Sequence, residues 1–249
     1  MQVKNMFKLK QWKRREKFDQ EYNILVSTNP NSAYAESFRK IPIDIKYSSI
    51  DKEPRVIQVT SSVAGEHKTT TAVNLAAVYV ELGHKVIMVD CDLRKPKVHR
   101  AVELLNDDGL TSYLIDKIDR SQLIKKTKFN FDVINAGEIV PFPHVILRSD
   151  KFKILIKELR GLYDYVILDC PPVLLVTDSL IISEVVDTTI FVINQQTTSK
   201  SETKEAITLL KESNANLCGI ILSNVSRKIS NYGYRYGYRY KYRYYSRKE

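Results

Sequence analysis

From Arg55 onward the chain alternates between short apolar runs and stretches in which apolar residues recur every three or four positions. The runs VIQVTS (56–61) and KVIMVD (85–90) have the character of buried strands. Between them, residues 68–82 place Ala72, Leu75, Ala76, Val78, Tyr79 and Leu82 at helical spacing. Strand, helix, strand is a βαβ unit, which predicts a parallel sheet. Further strands are expected at FDVIN (131–135), YDYVILD (163–169), TTIFVIN (188–194) and LCGIILS (217–223), with helices near 148–161, 176–186 and 199–213. Near-continuous apolar strands separated by helices predict an α/β fold with a doubly wound, mostly parallel sheet covered on both faces. Before this region the sequence is polar and irregular, with one helix expected over 32–40.

Composition supports one sizeable domain with two arms. A chain of 249 residues that is 43% apolar can bury a single large core. The expected organisation is a basic N-terminal arm and helix over 1–50, an α/β domain over 51–226, and a disordered tyrosine-rich tail over 227–249. That tail ends YGYRYGYRYKYRYYSRKE and holds eight of the fifteen tyrosines, with no aliphatic partners for them. It also carries eight basic residues against Glu249 alone, and so supplies +7 of the formal +10 charge. The charge therefore marks the arms and does not define a nucleic-acid-binding face. Stacking of the Arg/Tyr tail on single-stranded nucleic acid is the competing use of such a segment, but it leaves the aspartates that end the predicted strands without a role. The three cysteines, Cys91, Cys170 and Cys218, lie in or beside strand-like runs without metal-ligand spacing, as suits a reducing cytoplasm. No run approaches the roughly 18 apolar residues of a spanning helix. A soluble, cytoplasmic chain is expected.

The candidate chemistry lies at three predicted strand ends. After the first strand comes SSVAGEHKTTT, from Ser61 to Thr71. A phosphate-binding loop needs small residues that let backbone N–H groups converge, then a lysine for the β/γ oxygens and a hydroxyl for magnesium at a helix N-terminus. Lys68 and Thr69 fill the last two places. Gly65 remains, but Ser62 and His67 stand where G-x-x-x-x-G-K-[ST] has glycine. The second strand ends in Asp90, Asp92 and Arg94, and a later one in Asp169 followed by Pro171 and Pro172. Carboxylates and a guanidinium at the carboxyl ends of parallel strands suit magnesium, a general base and phosphate charge. Asp178 fits either a place behind the metal site or an acid favoured at a helix start.

The phosphate loop, the apolar strand ending D-x-D-x-R, the strand ending D-x-P-P and the carboxyl-terminal tyrosine cluster together resemble the bacterial tyrosine kinases that regulate capsule and exopolysaccharide synthesis. The form resembled is the cytoplasmic one, encoded apart from its membrane activator. AESFRKIPIDIKY (35–47), DGLTSYL (108–114) and GEIVPFPHVILRS (137–149) add to the likeness. The resemblance implies a P-loop NTPase-like fold of the deviant Walker A group, ATP and Mg2+ as cofactors, and phosphorylation in trans within a ring, an octamer in form. ATP would be held by Ser62, Gly65, Glu66, His67, Lys68, Thr69 and Thr70. Lys68, Asp90, Asp92 and Arg94 would be catalytic, with Asp90 accepting the tyrosine proton, and Thr69, Asp92 and Asp169 would hold the metal. Acceptors would be Tyr232, Tyr234, Tyr236, Tyr238, Tyr240, Tyr242, Tyr244 and Tyr245. Partners implied are a transmembrane activator (the polysaccharide co-polymerase), which recruits the chain to the inner face of the membrane, and a cognate tyrosine phosphatase, with no nucleic acid.

Departures from the pattern leave alternatives open. His67 either weakens ATP binding or donates to phosphate itself, and a catalytically impaired scaffold of the same family is the reading in which it ends phosphoryl transfer. The E-x-x-R-x-x-R contact motif appears as Glu36, Arg39 and Pro42, which bears on ring assembly. A partition or positioning ATPase is a third reading. Its signature lysine, however, is replaced by Val63.

Overall fold

A computed structural model of the chain describes residues 22–49 and 53–225. The tail, with its eight candidate acceptor tyrosines, and the basic arm before Tyr22 lie outside the described residues. Two helices come first, α1 (Leu25–Thr28) and α2 (Ala33–Tyr47). The phosphate-loop unit is next, as β1 (Val56–Ser61), α3 (Lys68–Glu81) and β2 (Val86–Asp90). Short helices α4 (Val98–Ala101), α5 (Leu110–Leu114) and α6 (Arg120–Leu123) lead to β3 (Lys125–Lys126) and β4 (Asp132–Ile134). The chain continues through α7 (Pro143–Leu147), α8 (Asp150–Leu162), β5 (Tyr165–Asp169) and α9 (Asp178–Ile182), then β6 (Thr188–Asn194), α10 (Lys200–Glu212) and β7 (Leu217–Ser223).

The strands form one seven-stranded sheet in the order β3-β4-β2-β5-β1-β6-β7. All pairs are parallel except β3 with β4. Alternate strand residues feed opposite cores: Ile57, Val59, Met88 and Ile167 pack on the side of α3, whereas Val56, Ile87, Val89, Val166 and Leu168 pack on the other. This two-sided burial explains the uninterrupted apolar runs. Sheet order also makes β2, β5 and β1 contiguous, although β5 comes some eighty residues after β2. In register, Asp90 lies opposite Asp169.

The predicted helix over 32–40 extends to Tyr47 and runs through Pro42. Proline removes one backbone donor from a helix, but Ala35, Pro42 and Ile45 are buried together on one stripe, and that packing offsets the lost bond. Ser32 caps the start by accepting from the Ala35 N–H at 3.1 Å. The preceding segment is fastened to α3 through Asn74: its Oδ1 accepts from the Val26 N–H (3.1 Å) and its Nδ2 donates to Asn23 O (3.0 Å). Residues 22–49 thus share the α3-side core with the sheet.

Two constraints yield stability predictions. Gly109 lies where a Cβ would stand 2.2 Å from Asn135 O and 2.6 Å from Gly137 N. Because backbone cannot yield as a flexible side chain does, Gly109→Ala should cost about 3 kcal/mol and lower the melting temperature by about 6–12 °C in a thermal melt. Asp187 ties the far end of the sheet, accepting from the Arg55 and Val56 N–H groups (2.8 and 2.9 Å) and from both Arg160 Nη atoms (2.8 and 2.7 Å). Burial alone would raise its carboxyl, but Arg160 and the two N–H groups hold it below the ordinary value. Its contribution is therefore complete above the unfolded value near pH 4 and is lost as pH falls through the lower folded value. Denaturant melts should show Asp187→Asn less stable by about 2 kcal/mol at pH 7, with the gap to wild type closing below about pH 4.

Candidate active site

The phosphate loop connects β1 to α3 and is shaped by a buried carboxylate. Glu66 is 1% exposed; it accepts from the Val63 N–H (2.7 Å), the Asn194 N–H (3.3 Å), and the hydroxyls of Ser62 (3.4 Å) and Thr198. The Glu66 side chain therefore holds the loop from beneath. Ser62, expected to contact nucleotide, is fully buried under the loop and lies outside the cleft lining. A cleft of about 310 Å³ opens above, lined by Gly65, Glu66, His67, Lys68, Thr69 and Thr70 together with Asp92, Arg94, Pro171 and Pro172.

His67 takes the left-handed conformation that the glycine of the usual loop would supply, with φ 67° and ψ 26°. A non-glycine residue there costs about 1–2 kcal/mol. Its imidazole leaves sideways: Nδ1 lies 3.1 Å from Ser223 Oγ at the end of β7, and that hydroxyl donates to Glu66 O at 3.0 Å. The loop backbone thus keeps a phosphate-loop path with a ring pinned against the neighbouring strand.

Below the cleft floor lies a cluster of charges. The Lys68 ammonium stands 2.9 Å from Asp92 Oδ2 and 3.3 Å from Asp169 Oδ1. Thr69 Oγ1 donates to Asp169 Oδ2 at 2.6 Å. Burial alone would lower the lysine's pKa, but Asp169 and Asp92 hold it above the ordinary range. Asp90 is driven well above the usual carboxylate range by burial and by the nearby Asp169 charge, and Asp169 is raised by burial. Three carboxylates face one ammonium, so the site has room for another cation.

The donor set fits magnesium. Thr69, Asp92 and Asp169 offer hard oxygens, and an ammonium already sits among them as a positive charge. Among the described residues no group of three or more His, Cys, Asp or Glu side chains is placed to hold a metal ion; these oxygens would supply part of a magnesium shell, and Mg2+ commonly keeps waters for the rest.

The structure separates the two aspartates of D-x-D. Asp92 lines the cleft. Asp90, expected to meet the incoming hydroxyl, is fully buried behind the wall. Its Oδ1 accepts from the Asp92 N–H (3.2 Å), and its Oδ2 from the Lys97 and Val98 N–H groups (both 3.1 Å). Strand register brings it to the site, and the next loop then folds over it. Arg94 reaches the cleft while its Nε and Nη2 donate to Asp178 at 3.0 and 3.3 Å. Asp178 is the first residue of α9, as the helix-start reading expects, and it is the buried anchor of a cleft-lining guanidinium. Glu36 and Arg39 lie in the first half of α2 and outside the cleft lining, where Arg39 donates to Glu36 (2.7 Å) and through Nε and Nη2 to Glu81 (both 2.8 Å). Sequence reasoning missed Tyr22, Lys95 and Lys97, which also line the cleft. The basic pair lies in the RKPK run (94–97) just beyond β2, whereas nothing local marks Tyr22.

Residues 54–218 match the family described as AAA domain. The tyrosine-protein kinase YwqD of Bacillus subtilis is 38% identical over 214 residues, which span 85% of this chain and 90% of that protein. Among solved structures, the chimerical protein CapA2B2 has a TM-score of 0.79 at 33% identity, covering 82% of this chain and 90% of that one. The septum site-determining protein MinD of Pyrococcus horikoshii, complexed with Mg-ADP, shares the fold with a TM-score of 0.59 at 24% identity, over 71% of this chain and 76% of its own. With a P-loop NTPase-like fold, a relative this similar over nearly its full length and three strand ends converging on one cleft, the chain belongs to the bacterial tyrosine kinase family.

Proposed function

We propose that this chain is an ATP-dependent protein-tyrosine kinase that phosphorylates its own tyrosine-rich tail and thereby regulates capsular or exopolysaccharide synthesis and export. The observation that carries the reading is the Lys68–Asp92–Asp169–Thr69 cluster beneath a phosphate loop, in a chain similar to a named tyrosine-protein kinase. The Mg-ADP complex of MinD, which has the same fold, supports nucleotide with Mg2+ in the cleft.

In this reading, loop N–H groups from Gly65 to Thr70 receive the phosphates at the start of α3. Lys68 moves from its carboxylates to the β/γ oxygens. Thr69, Asp92 and Asp169 hold Mg2+, which when bound neutralises phosphate charge. Arg94, aimed by Asp178, adds positive charge where the phosphoryl group transfers. Asp92 meets the cleft on the metal side, while Asp90, bonded to the Asp92, Lys97 and Val98 N–H groups, fixes the 91–98 loop and keeps Asp92 in place. The tail is the acceptor, delivered by a neighbouring subunit of a ring. Each phosphate adds about −1.5 to −2 charges, so a few would reverse the tail's +7 and drive the assembly apart. Ring contact through Glu36 and Arg39 then requires Arg39 to share or exchange its bonds to Glu81. No helix among the described residues is long and apolar enough to cross a membrane. A transmembrane activator is the proposed link to the inner face of the membrane, and a tyrosine phosphatase the proposed means of reversal.

Phosphate incorporation from Mg-ATP, followed by mass spectrometry, tests this reading. Wild type should gain phosphotyrosine in the tail, whereas Lys68→Met and Asp92→Asn should lose it by about 100-fold or more. Wild-type protein that binds Mg-ATP but stays unphosphorylated would sink the proposal. His67→Gly should remain within about threefold of wild-type kcat, because the ring leaves the cradle sideways and glycine adopts the same conformation; a gain of about 100-fold would instead mark the natural loop as impaired.

A further inference from the structure

β7 ends the sheet and pairs with β6 alone among the described residues. The Ser223 carbonyl accepts from the Gln195 N–H at 3.1 Å, so Ser223 turns its backbone groups toward β6. Alternation along a strand then turns the backbone groups of Leu222 and Ile220 the other way, to an edge that no described strand covers. In register these two residues lie opposite Ile193 and Phe191. Ala206 and Leu210 of α10 pack on Phe191 and Ile193, but that cover stops short of β7, where Ile220 is 47% and Leu222 54% exposed. Free backbone donors and acceptors thus coincide with a bare apolar face on one strand. The chain leaves β7 through Asn224, whose φ of 52° is left-handed and whose Nδ2 donates to Asn194 Oδ1 at 3.4 Å. Asparagine in that conformation suits a turn.

We propose that the chain's own tyrosine-rich tail adds to β7 as an eighth strand, antiparallel to it. From Tyr232 to Tyr244 every even-numbered residue is tyrosine, and every odd-numbered one is glycine, arginine or lysine. In an extended chain that pattern makes one face wholly aromatic and the other cationic. The tyrosines, which have no core of their own, would lie across Ile220 and Leu222 as cross-strand pairs. A slip of one residue would set cations on that apolar face, so the alternation also fixes the register. Residues 225–231 exceed the about two to five that a hairpin connection needs. Attachment to the same chain holds the tail near the edge at an effective concentration of about millimolar, so weak strand addition suffices. The arginines and lysines then guard the new edge against a further strand. No β7 residue lines the nucleotide cleft, and the seat does not depend on the kinase reading. Under that reading it has a consequence: a seated tail is withheld from a neighbour's cleft, and phosphate on its aromatic face ejects it from the apolar seat.

Hydrogen exchange of the full-length protein without nucleotide tests the seat. Wild type is compared with a full-length variant carrying Tyr234→Ser, Tyr236→Ser, Tyr238→Ser and Tyr240→Ser. Exchange is read by mass spectrometry on peptides from β7 and from the tail, at two protein concentrations about 50-fold apart. In wild type the β7 segment is expected to exchange about tenfold more slowly than in the variant, with the tail slowed alongside it and neither changed by dilution. Tyr→Phe at the same four positions should keep the protection, because the ring and not the hydroxyl fills the seat. Equal exchange of β7 in wild type and the serine variant would overturn the proposal and leave the edge to another protein. Protection lost on dilution would give the seat to the tail of a second copy and overturn the assignment to the same chain. With no ATP present, either failure leaves the kinase reading untouched.

Discussion

The Lys68 ammonium and its carboxylates set the terms for the whole carboxyl edge of the sheet. An ion taken from water into a protein interior is tolerated only when paired, and removal of one partner leaves a charge costly to bury. Lys68 is fixed at the start of α3, Asp92 just beyond β2 and Asp169 at the end of β5. Three separate pieces of chain must therefore arrive together for any of them to be satisfied. The parallel register that sets Asp90 opposite Asp169 is what allows it. The same arrangement is unbalanced, with more carboxylate than ammonium, and burial raises Asp90 and Asp169. In the proposed function, that surplus of buried acid at one edge is the charge that a bound cation would offset once the lysine turned to phosphate.

Around that cluster, buried polar side chains organise the backbone and leave the cleft itself open. Glu66 gathers the loop from below, Asp90 holds the 91–98 segment, and Asp178 aims Arg94. Each acid faces away from solvent and accepts from N–H or guanidinium donors, the arrangement in which a buried carboxylate stabilises its surroundings. Cys91 and Cys170 come directly after the paired aspartates as buried free thiols, and the Cys170 thiol donates to Leu168 O at 3.8 Å. His67 belongs with this group: its backbone supplies the left-handed turn and its ring ties the loop to β7.

Much of the fold is legible in the sequence because two-sided burial writes itself into composition. β1, β6 and β7 run over the residues that the apolar runs predict, and α3 ends one residue earlier than its periodicity implies. The helix expected over 32–40 is too short because Pro42 is a local stop signal, whereas the buried stripe that carries α2 through it is a tertiary fact. The two-residue β3 and the short helices α4 to α7 leave no periodic trace, since elements of four or five residues complete barely one turn.

For the site, the sequence alone determined which residue types stand at strand ends: Lys68 and Thr69 after β1, Asp90 at the end of β2 with Asp92 just beyond it, and Asp169 at the end of β5. Local periodicity marks where a strand stops, and the residues at and just beyond that stop are then known from the chain itself. Only the tertiary structure decided which of these side chains meet the cleft. It turned Asp90 and Glu66 inward and Asp92 outward, gave Arg94 to Asp178 and Arg39 to Glu81, and brought Tyr22 from the edge of the basic arm to the cleft wall. The physical reason is that a side chain's direction depends on which donors and acceptors lie nearby. Asp90 finds its donors in the loop just after it, but Asp178, Glu81 and Asn194 stand forty to more than a hundred residues from the groups they meet and are joined to them only when the sheet is assembled.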